Sequence, residues 1–125
     1  GGFSDGKPWL PVAMEHVQTA ADVQDGDPNS MLNFYRQMID FRRAYQALLK
    51  GEYRLVEADD GFISFMREYG NVQMFCAFNL SDEGRRVTMP DGTWQIDRAA
   101  PFTFIEDETN TTLPGWQALF AVQGD

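Results

Sequence analysis

The stretch that decides the fold runs from residue 62 to residue 80 and reads FISFMREYGNVQMFCAFNL. Two runs rich in aromatic and aliphatic residues flank Gly70-Asn71, a pair that is typical of tight turns. The run after this turn is apolar at almost every position, which predicts a strand that is buried on both faces and therefore central in its sheet. The stretch thus predicts an antiparallel hairpin at the centre of a β domain.

Further segments of strand character lie on both sides of this hairpin and are separated by turn signals. One such segment, 52–57, precedes the hairpin, and Asp91-Gly92 is a hairpin signal further along the chain. The later segments are 84–89, 93–97, 102–105 and 115–122. About six to eight strands at this spacing predict an antiparallel sheet pair or β-sandwich after residue 50.

A long helix is predicted immediately before the β domain, over 28–50. Asp27 can cap it, Pro28 suits the first helical position, and Gly51 suits a left-handed C-terminal position. Its apolar residues cover more than the single stripe that a surface helix buries, so we expect two of its faces to be covered. One covering would be the β domain and the other a neighbouring domain; in the alternative interpretation, the helix is enclosed within this one small domain.

The residues before this helix are rich in glycine, proline and Asp-Gly pairs, which predicts an irregular arm. Within the arm, Trp9-Leu10-Pro11-Val12 is apolar, and its proline favours an extended backbone. Such a segment is suited to lie across another surface. The expected fold is therefore mainly β, with an irregular arm and one long α-helix in front of an antiparallel β-sandwich.

Composition excludes several classes of partner. The 125 residues carry a net charge of -9, which disfavours nucleic acid and anionic membrane surfaces. We found no apolar run near the roughly 20 residues that span a bilayer. The single cysteine, Cys76, lies in an apolar run and is interpreted as a core residue. We expect no nucleic-acid partner and no membrane partner.

The sequence does not present a complete catalytic site. Its single histidine, His16, lies in the arm without a nucleophile motif, and one histidine with one cysteine cannot supply a four-ligand zinc set. Adjacent acidic residues, such as Asp59-Asp60 and Asp82-Glu83, are typical of solvated turns. A glycosidase instead needs two carboxyl groups at a fixed separation about the sugar. We expect no catalytic residue, cofactor or metal site in this chain.

Two weaker signals concern sugars. The tripeptides Asn79-Leu80-Ser81 and Asn110-Thr111-Thr112 match the N-glycosylation acceptor pattern, which matters only in a secretory pathway. Trp9, Trp94 and Trp116 are candidate platforms for sugar stacking, although aromatic residues at strand spacing are more often part of a core.

Three parts of the chain carry a family resemblance. These parts are Gly2-Phe3-Ser4 with Gly6 and Pro8-Trp9-Leu10-Pro11-Val12, then 27–36 and Phe41-Arg42-Arg43, and then 78–83. In this order, they resemble the segment after the eighth barrel strand, the last barrel helix and the C-terminal β domain of the α-glucosidases and oligo-1,6-glucosidases of glycoside hydrolase family 13. The resemblance covers nearly the whole chain.

This resemblance implies a domain organisation and a role. Residues 1–50 would be the end of a catalytic barrel and 51–125 a C-terminal β domain of the α-amylase type. The whole protein would be a retaining α-glucosidase that acts on maltose and isomalto-oligosaccharides, with its catalytic aspartate and glutamate upstream. This chain would then be a non-catalytic, structural fragment. Phe3 and Trp9 would border the substrate cleft, because barrel active sites are built from loops at the C-terminal ends of the strands.

Other interpretations stay open. Ala13-Met14-Glu15-His16 stands where the family often has an Asn-Pro-Asn-Tyr stretch, so the substrate preference is not fixed. Sucrose isomerases and trehalose synthases are related, and an autonomous carbohydrate-binding β-sandwich is an alternative from another class. The expected partners are the missing catalytic barrel, an α-glucoside and a second copy bound through the exposed helix face. The expected location is the cytoplasm.

Overall fold

The computed structural model describes residues 5–101 and 111–123. Its contacts divide the chain into two compact units, residues 1–38 and residues 39–125. None of the helices in these described ranges has the length and hydropathy that a membrane-spanning segment requires.

The first unit contains two short helices that the sequence did not predict, α1 (Met14–Gln18) and α2 (Ala21–Asp25). The arm is therefore partly helical. The next helix, α3 (Met31–Ala44), begins at Met31, so the predicted start at Pro28 is wrong. Ser30 caps it instead, because its Oγ accepts the N–H of Asn33 at 3.2 Å. Asp27 closes the turn before the helix by accepting the N–H of Asn29 at 2.9 Å.

The prediction of one continuous helix over 28–50 is also wrong. The helix is interrupted at Tyr45, which has an extended backbone, and α4 (Gln46–Lys50) follows. Gly51 is extended rather than left-handed, with φ -64° and ψ 153°. A glycine is nevertheless needed there, since a Cβ atom would lie 2.3 Å from the carbonyl oxygen of Ala47.

The second unit is dominated by an antiparallel sheet of five strands: β1 (Glu52–Asp59), β2 (Phe62–Tyr69), β3 (Val72–Asn79), β5 (Trp94–Ile96) and β7 (Ala118–Gln123). Their order in the sheet is β1-β2-β3-β7-β5. The hairpin predicted at the centre is confirmed: β2 and β3 pair across Gly70-Asn71, and β3 is flanked by β7 on its other side.

A second, two-stranded sheet pairs β4 (Arg85–Arg86) with β6 (Thr112–Leu113). The sequence predicted a longer strand at 84–89 and did not predict β6. The strand expected at 102–105 lies outside the described residues.

The two sheets enclose the core. One face of the large sheet contributes Phe62, Met66, Phe75, Ala77, Leu119 and Ala121, and the small sheet and its neighbouring loop contribute Leu113 and Val87. Met89, Trp94 and Ile96 pack at the edge of this cluster. The expected mainly antiparallel β fold with sandwich-like packing is therefore confirmed.

Candidate functional site

The opposite face of the five-stranded sheet carries a continuous row of aromatic rings. Because side chains alternate along a strand, the strand register places Tyr53, Phe65, Phe78 and Phe120 on this face. Neighbouring ring centroids are 5.0 Å apart for Tyr53–Phe65, 5.8 Å for Phe65–Phe78, 5.6 Å for Phe78–Phe120, 5.0 Å for Phe120–Phe41 and 5.4 Å for Phe41–Tyr45.

One end of this row is covered by the end of α3 and by α4. Phe41 and Phe120 are buried, and Ala47 of α4 is fully buried. Arg67, on β2, fixes α4 in place by donating from Nε to the carbonyl oxygen of Ala47 at 3.2 Å and from Nη2 to that of Leu48 at 3.4 Å. The carbonyl oxygen of Ala47 also accepts the N–H of Gly51 at 3.0 Å, so Arg67 adds further donors at the C-terminal end of α4.

The other end of the row is open. The side chains at this end are apolar or aromatic and half-buried or exposed, and we call them the open aromatic face: Tyr53, Leu55, Ile63, Phe65, Phe78 and Leu80. Tyr53 is 53% exposed and Leu55 is 51% exposed. Contiguous exposed apolar residues of this kind mark interaction surfaces more often than isolated ones do.

A small hollow of about 140 Å³ adjoins the open aromatic face, between Leu80 and Trp116. Trp116 is 66% exposed, and its φ of 59° lies in the left-handed region that non-glycine residues seldom adopt. Its backbone N–H donates to the carbonyl oxygen of Ser81 at 3.0 Å, which stabilises this turn. Trp116 is thus held outward at the rim of the face.

Asn79 fixes the loops at this edge of the sheet. Its side chain is 1% exposed, and its amide nitrogen donates to the carbonyl oxygens of Glu83 (2.8 Å), Leu113 (3.1 Å) and Pro114 (3.1 Å). Its Oδ1 accepts from the backbone N–H and the hydroxyl of Ser81. The sequence marked Asn79 as a glycosylation acceptor, but the folded protein buries and saturates this amide; Asn110 lies outside the described residues.

A charged cluster lies on the core side of the sheet. Arg85 donates to Asp59 Oδ1 at 2.8 Å and to Glu57 Oε1 at 2.7 Å, and its guanidinium lies 4.4 Å above the ring of Phe62. The hydrogen bond with Asp59 is the main cause of a raised pKa of Arg85. Both carboxylates are engaged by one arginine that joins the two sheets, so their role is structural.

Two other groups have perturbed pKa values. Burial, together with a hydrogen bond to Asp97, raises the pKa of Tyr45 to about 12. Burial raises the pKa of the Cys76 thiol to about 12, and the charge of Arg67 offsets this only in part. Both shifts favour the neutral form, which is the form that a buried group adopts.

The predicted tryptophan sites differ in their surroundings. Trp94 is half-buried, its ring centroid lies 6.2 Å from that of Phe75, and its Nε1 donates to the carbonyl oxygen of Pro90 at 2.8 Å, so it is a structural residue. Trp9 is 91% exposed. Phe3 lies outside the described residues, so the proposed cleft rim at Phe3 and Trp9 stays a prediction.

Two hollows are lined by carboxylates of the described residues. A hollow of about 670 Å³ beside β5 is lined by one carboxylate, Asp91, whereas glycoside hydrolysis uses two. A hollow of about 410 Å³ is lined by Glu52 and Glu68, and the carboxylate of Glu68 lies 3.4 Å from the guanidinium of Arg54. Within 5–101 and 111–123, no three histidine, cysteine, aspartate or glutamate side chains are grouped to hold a metal ion. The feature with the clearest functional geometry is therefore the open aromatic face.

Comparison with known proteins gives the family. A family model described as alpha amylase, catalytic domain, matches residues 1–51. A probable alpha-glucosidase of Rhizobium meliloti (strain 1021) is 40% identical over 97% of this chain and 22% of its own length.

Solved structures agree with this result. The alpha-glucosyl transfer enzyme XgtA superposes with a TM-score of 0.83 at 29% identity, over 98% of this chain and 23% of its own. The isomaltulose synthase PalI from Klebsiella sp. LX3 superposes with a TM-score of 0.76 at 26% identity, again over 98% of this chain and 23% of its own. The chain therefore belongs to the α-amylase family, glycoside hydrolase family 13, and spans about a fifth of the length of the relatives it matches.

Proposed function

We propose that this chain is the C-terminal part of a retaining α-glucosidase, in which residues 1–50 complete the catalytic barrel and 51–125 form a supporting β domain. One observation carries the proposal: the match to the catalytic-domain model ends at residue 51, and strand β1 begins at Glu52. The family boundary and the start of the sheet therefore coincide.

The proposed reaction is hydrolysis of α-glucosidic bonds in maltose and isomalto-oligosaccharides with retention of configuration. This reaction needs a carboxylate nucleophile and a carboxylic acid on opposite sides of the scissile bond, which we place in the preceding part of the longer protein. The chain itself is proposed to be non-catalytic and to stabilise the barrel. The relative named a probable alpha-glucosidase supports this substrate class.

The first experiment compares the longer protein, expressed from the complete gene, with the purified 125-residue chain. We expect the longer protein to release p-nitrophenol from p-nitrophenyl α-glucoside and glucose from maltose, and the chain alone to give no release above the blank. Turnover by the pure chain would contradict the assignment of a structural role.

The proposed cleft rim is tested in the same longer protein. If Trp9 borders the substrate, Trp9→Ala should raise KM for isomaltose about tenfold or more, consistent with the loss of a stacking contact. Leu10→Ala, at the neighbouring exposed residue, is the matched control and should leave KM within about twofold. Equal changes in KM in the two variants would contradict a position of Trp9 at the cleft rim.

An isomerase is the nearest alternative, and the similarity to an isomaltulose synthase supports keeping it. Incubation of the longer protein with sucrose separates the two. A hydrolase releases glucose and fructose in equal amounts, whereas an isomerase gives mainly a rearranged disaccharide. With maltose, formation of trehalose would instead indicate a trehalose synthase.

An autonomous carbohydrate-binding module is favoured by one observation, the outward position of Trp116 beside the small hollow. Titration of the chain with maltose, isomaltose or a longer α-glucan tests it. Binding at Trp116 would give a saturable change in tryptophan fluorescence that Trp116→Phe removes. Under the structural role, fluorescence stays constant across the titration.

We also propose that the isolated chain self-associates. Helix α3 exposes Met31, Tyr35 and Ile39, which lie four residues apart along one side of the helix. Light scattering at increasing concentration should therefore show a rising mean mass.

For the longer protein we propose a cytoplasmic location. The free, buried thiol of Cys76 suits a reducing compartment, and cell fractionation checks the location.

A further inference from the structure

We infer that Gln24 positions the arm at the rim of the substrate cleft, because its side chain ties the end of α1 to the first turn of α3. The inference rests on the proposed function, which places Trp9 of the arm at that rim. It adds a residue that determines substrate binding without touching the substrate. Gln24 is thus a positioning residue that acts through Trp9.

The two short helices of the arm need contacts from outside to hold their place. Helices α1 and α2 have five residues each, and neither contains a buried residue or a side-chain hydrogen bond at its N-cap. Helices of this length are unstable in water on their own. The position of α1 therefore depends on hydrogen bonds to its neighbours in the chain.

The side chain of Gln24 supplies such hydrogen bonds in two directions. Its Nε2 donates to the carbonyl oxygen of Thr19 at 2.6 Å, at the C-terminal end of α1. Its Oε1 accepts the backbone N–H of Leu32 at 3.0 Å, in the first turn of α3. One planar amide group therefore links the end of α1 to the start of α3.

The backbone of Gln24 is itself fixed by α3 and its cap. The carbonyl oxygen of Gln24 accepts the hydroxyl of Ser30 at 2.6 Å and the amide Nδ2 of Asn33 at 2.9 Å. The same Nδ2 also donates to the carbonyl oxygens of Asp25 at 3.2 Å and Asp27 at 2.8 Å. The side chain of Gln24 thus extends from an anchored backbone, so its bond to Thr19 can hold α1 in place.

Hydrogen bonds continue from Thr19 toward Trp9. The hydroxyl of Thr19 donates to the carbonyl oxygen of His16 at 3.4 Å, and the N–H of His16 donates to the carbonyl oxygen of Ala13 at 3.0 Å. Ala13 directly follows the apolar segment 9–12, in which Pro11 restricts the backbone. Trp9 is 91% exposed, so contacts of its own ring do little to fix it. A displacement of α1 would therefore move Trp9 as well.

Helix α2 does not need the side chain of Gln24 to stay on α3. Asp25 forms an ion pair with Arg36 of α3, and Asn33 holds three carbonyl groups at the end of α2 and in the turn that follows. The bond from Gln24 to Thr19 adds the connection to α1. Loss of this one donor should therefore loosen α1 and leave the contact between α2 and α3 in place.

The variant Gln24→Glu in the longer protein tests the inference. A carboxylate cannot donate to the carbonyl oxygen of Thr19, but it can still accept the N–H of Leu32. We expect KM for isomaltose to rise about threefold or more while kcat stays within about twofold, because substrate binding is affected and the reacting groups are not. Gln37→Glu is the matched control, since it makes the same change at an exposed residue of α3, and it should leave both constants within about twofold.

A double variant shows whether Gln24 acts through Trp9. If it does, Trp9→Ala combined with Gln24→Glu should have the same KM as Trp9→Ala alone, within about twofold. A merely structural role of Gln24 would instead add its effect to that of Trp9→Ala. An additive effect in the double variant, or an unchanged KM in Gln24→Glu, overturns the inference.

Hydrogen exchange measured by mass spectrometry gives a test that does not depend on catalysis. Over residues 13–20 of the longer protein, we expect exchange about threefold or more faster in Gln24→Glu than in the natural protein, and unchanged exchange in Gln37→Glu. Gln24→Met, which keeps the length of the side chain and removes both polar atoms, should behave in the same way and replaces Gln24→Glu if that variant does not fold.

The outcomes separate this inference from the proposed function. Unchanged exchange over residues 13–20 in both Gln24 variants overturns the inference, whatever the activity. Absence of α-glucosidase activity in the unmodified longer protein would instead overturn the proposed function, and the exchange rates would still decide whether Gln24 holds α1.

Discussion

The hydroxyl of Tyr45 donates a hydrogen bond to Oδ2 of Asp97, a residue 52 positions further along the chain. The other carboxylate oxygen of Asp97 accepts the N–H of Ala99 at 2.9 Å, and the N–H of Asp97 donates to the carbonyl oxygen of Phe120 at 2.8 Å. The contact therefore joins the interruption between α3 and α4 to the sheet. Tyr45 has the extended backbone that separates these two helices.

Removing this hydroxyl should weaken the β unit. We expect Tyr45→Phe to lower the free energy of unfolding by about 1 to 2 kcal/mol, because a hydrogen bond to a charged, partly buried group is lost. Denaturant unfolding followed by circular dichroism measures the change. Tyr69→Phe, at an exposed tyrosine of the β2–β3 hairpin, is the control and should change stability by less than about 0.5 kcal/mol. Similar losses in both variants would contradict a specific role for the Tyr45–Asp97 contact.

The same pair predicts a loss of stability in alkali. The pKa of Tyr45 is about 12 in the folded chain, above the ordinary value of 10.0, so the folded state retains a proton that the unfolded state loses first. The stabilisation is complete below pH 10 and is lost as the pH rises toward 12. Unfolding curves measured at intervals from pH 9 to 11.5 should show the difference between the natural chain and Tyr45→Phe becoming smaller. A difference that stays constant over this range would refute the assignment.

Cys76 should be unreactive in the folded chain. Its thiol is fully buried and its pKa is raised to about 12, so both access and thiolate formation oppose attack at pH 8. We expect reaction with Ellman's reagent to be at least a hundredfold slower than in denaturant, where one thiol per chain should react. Rapid labelling under native conditions would show that the centre of the sheet opens.

The hairpin and the sheet pair could be predicted because periodic apolar residues report burial directly. The uninterrupted apolar run around Phe75 and Cys76 identified the central strand, and the structure confirms it. The β-bulge at Val56 could not be predicted in this way, since it changes which side a residue faces without changing composition. As a result, the sequence identified the strands of the open aromatic face but not its exact residues.

The interruption of the helix at Tyr45 could not be predicted from the sequence, for a different reason. The residues around it, Ala44, Gln46 and Ala47, include good helix formers, and neither glycine nor proline marks a boundary. The interruption accompanies a bond to Asp97, and a contact between such distant residues leaves no local signal. Asn79 is similar, because its partners Leu113 and Pro114 come from a segment more than thirty positions away.

Asn79 should be the most sensitive polar residue of the β unit. Its two amide hydrogens are shared among three carbonyl oxygens, so Asn79→Ala leaves buried acceptors without a donor. We expect a loss of roughly 2 to 4 kcal/mol of unfolding free energy. Asn79→Asp should be at least as damaging, since a carboxylate cannot donate to these carbonyl groups. Asn71→Ala, in the exposed β2–β3 turn, is the control, and a loss as large as that of Asn79→Ala would contradict the buried network.

Gly51 connects α4 to β1 and leaves no room for a side chain. A Cβ atom would lie 2.3 Å from the carbonyl oxygen of Ala47 and 2.8 Å from that of Glu68, and both atoms belong to the backbone, which has little freedom to move. We therefore expect Gly51→Ala to cost about 1 to 3 kcal/mol, although its φ of -64° is one that alanine adopts readily. At Gly84 the nearest atom to a new Cβ is 3.5 Å away, so Gly84→Ala should be almost neutral. Thermal unfolding of the two variants measures the change in Tm. If steric crowding is the cause, Tm falls only in Gly51→Ala. If the cause is a general loss of backbone freedom, Tm changes equally in both variants.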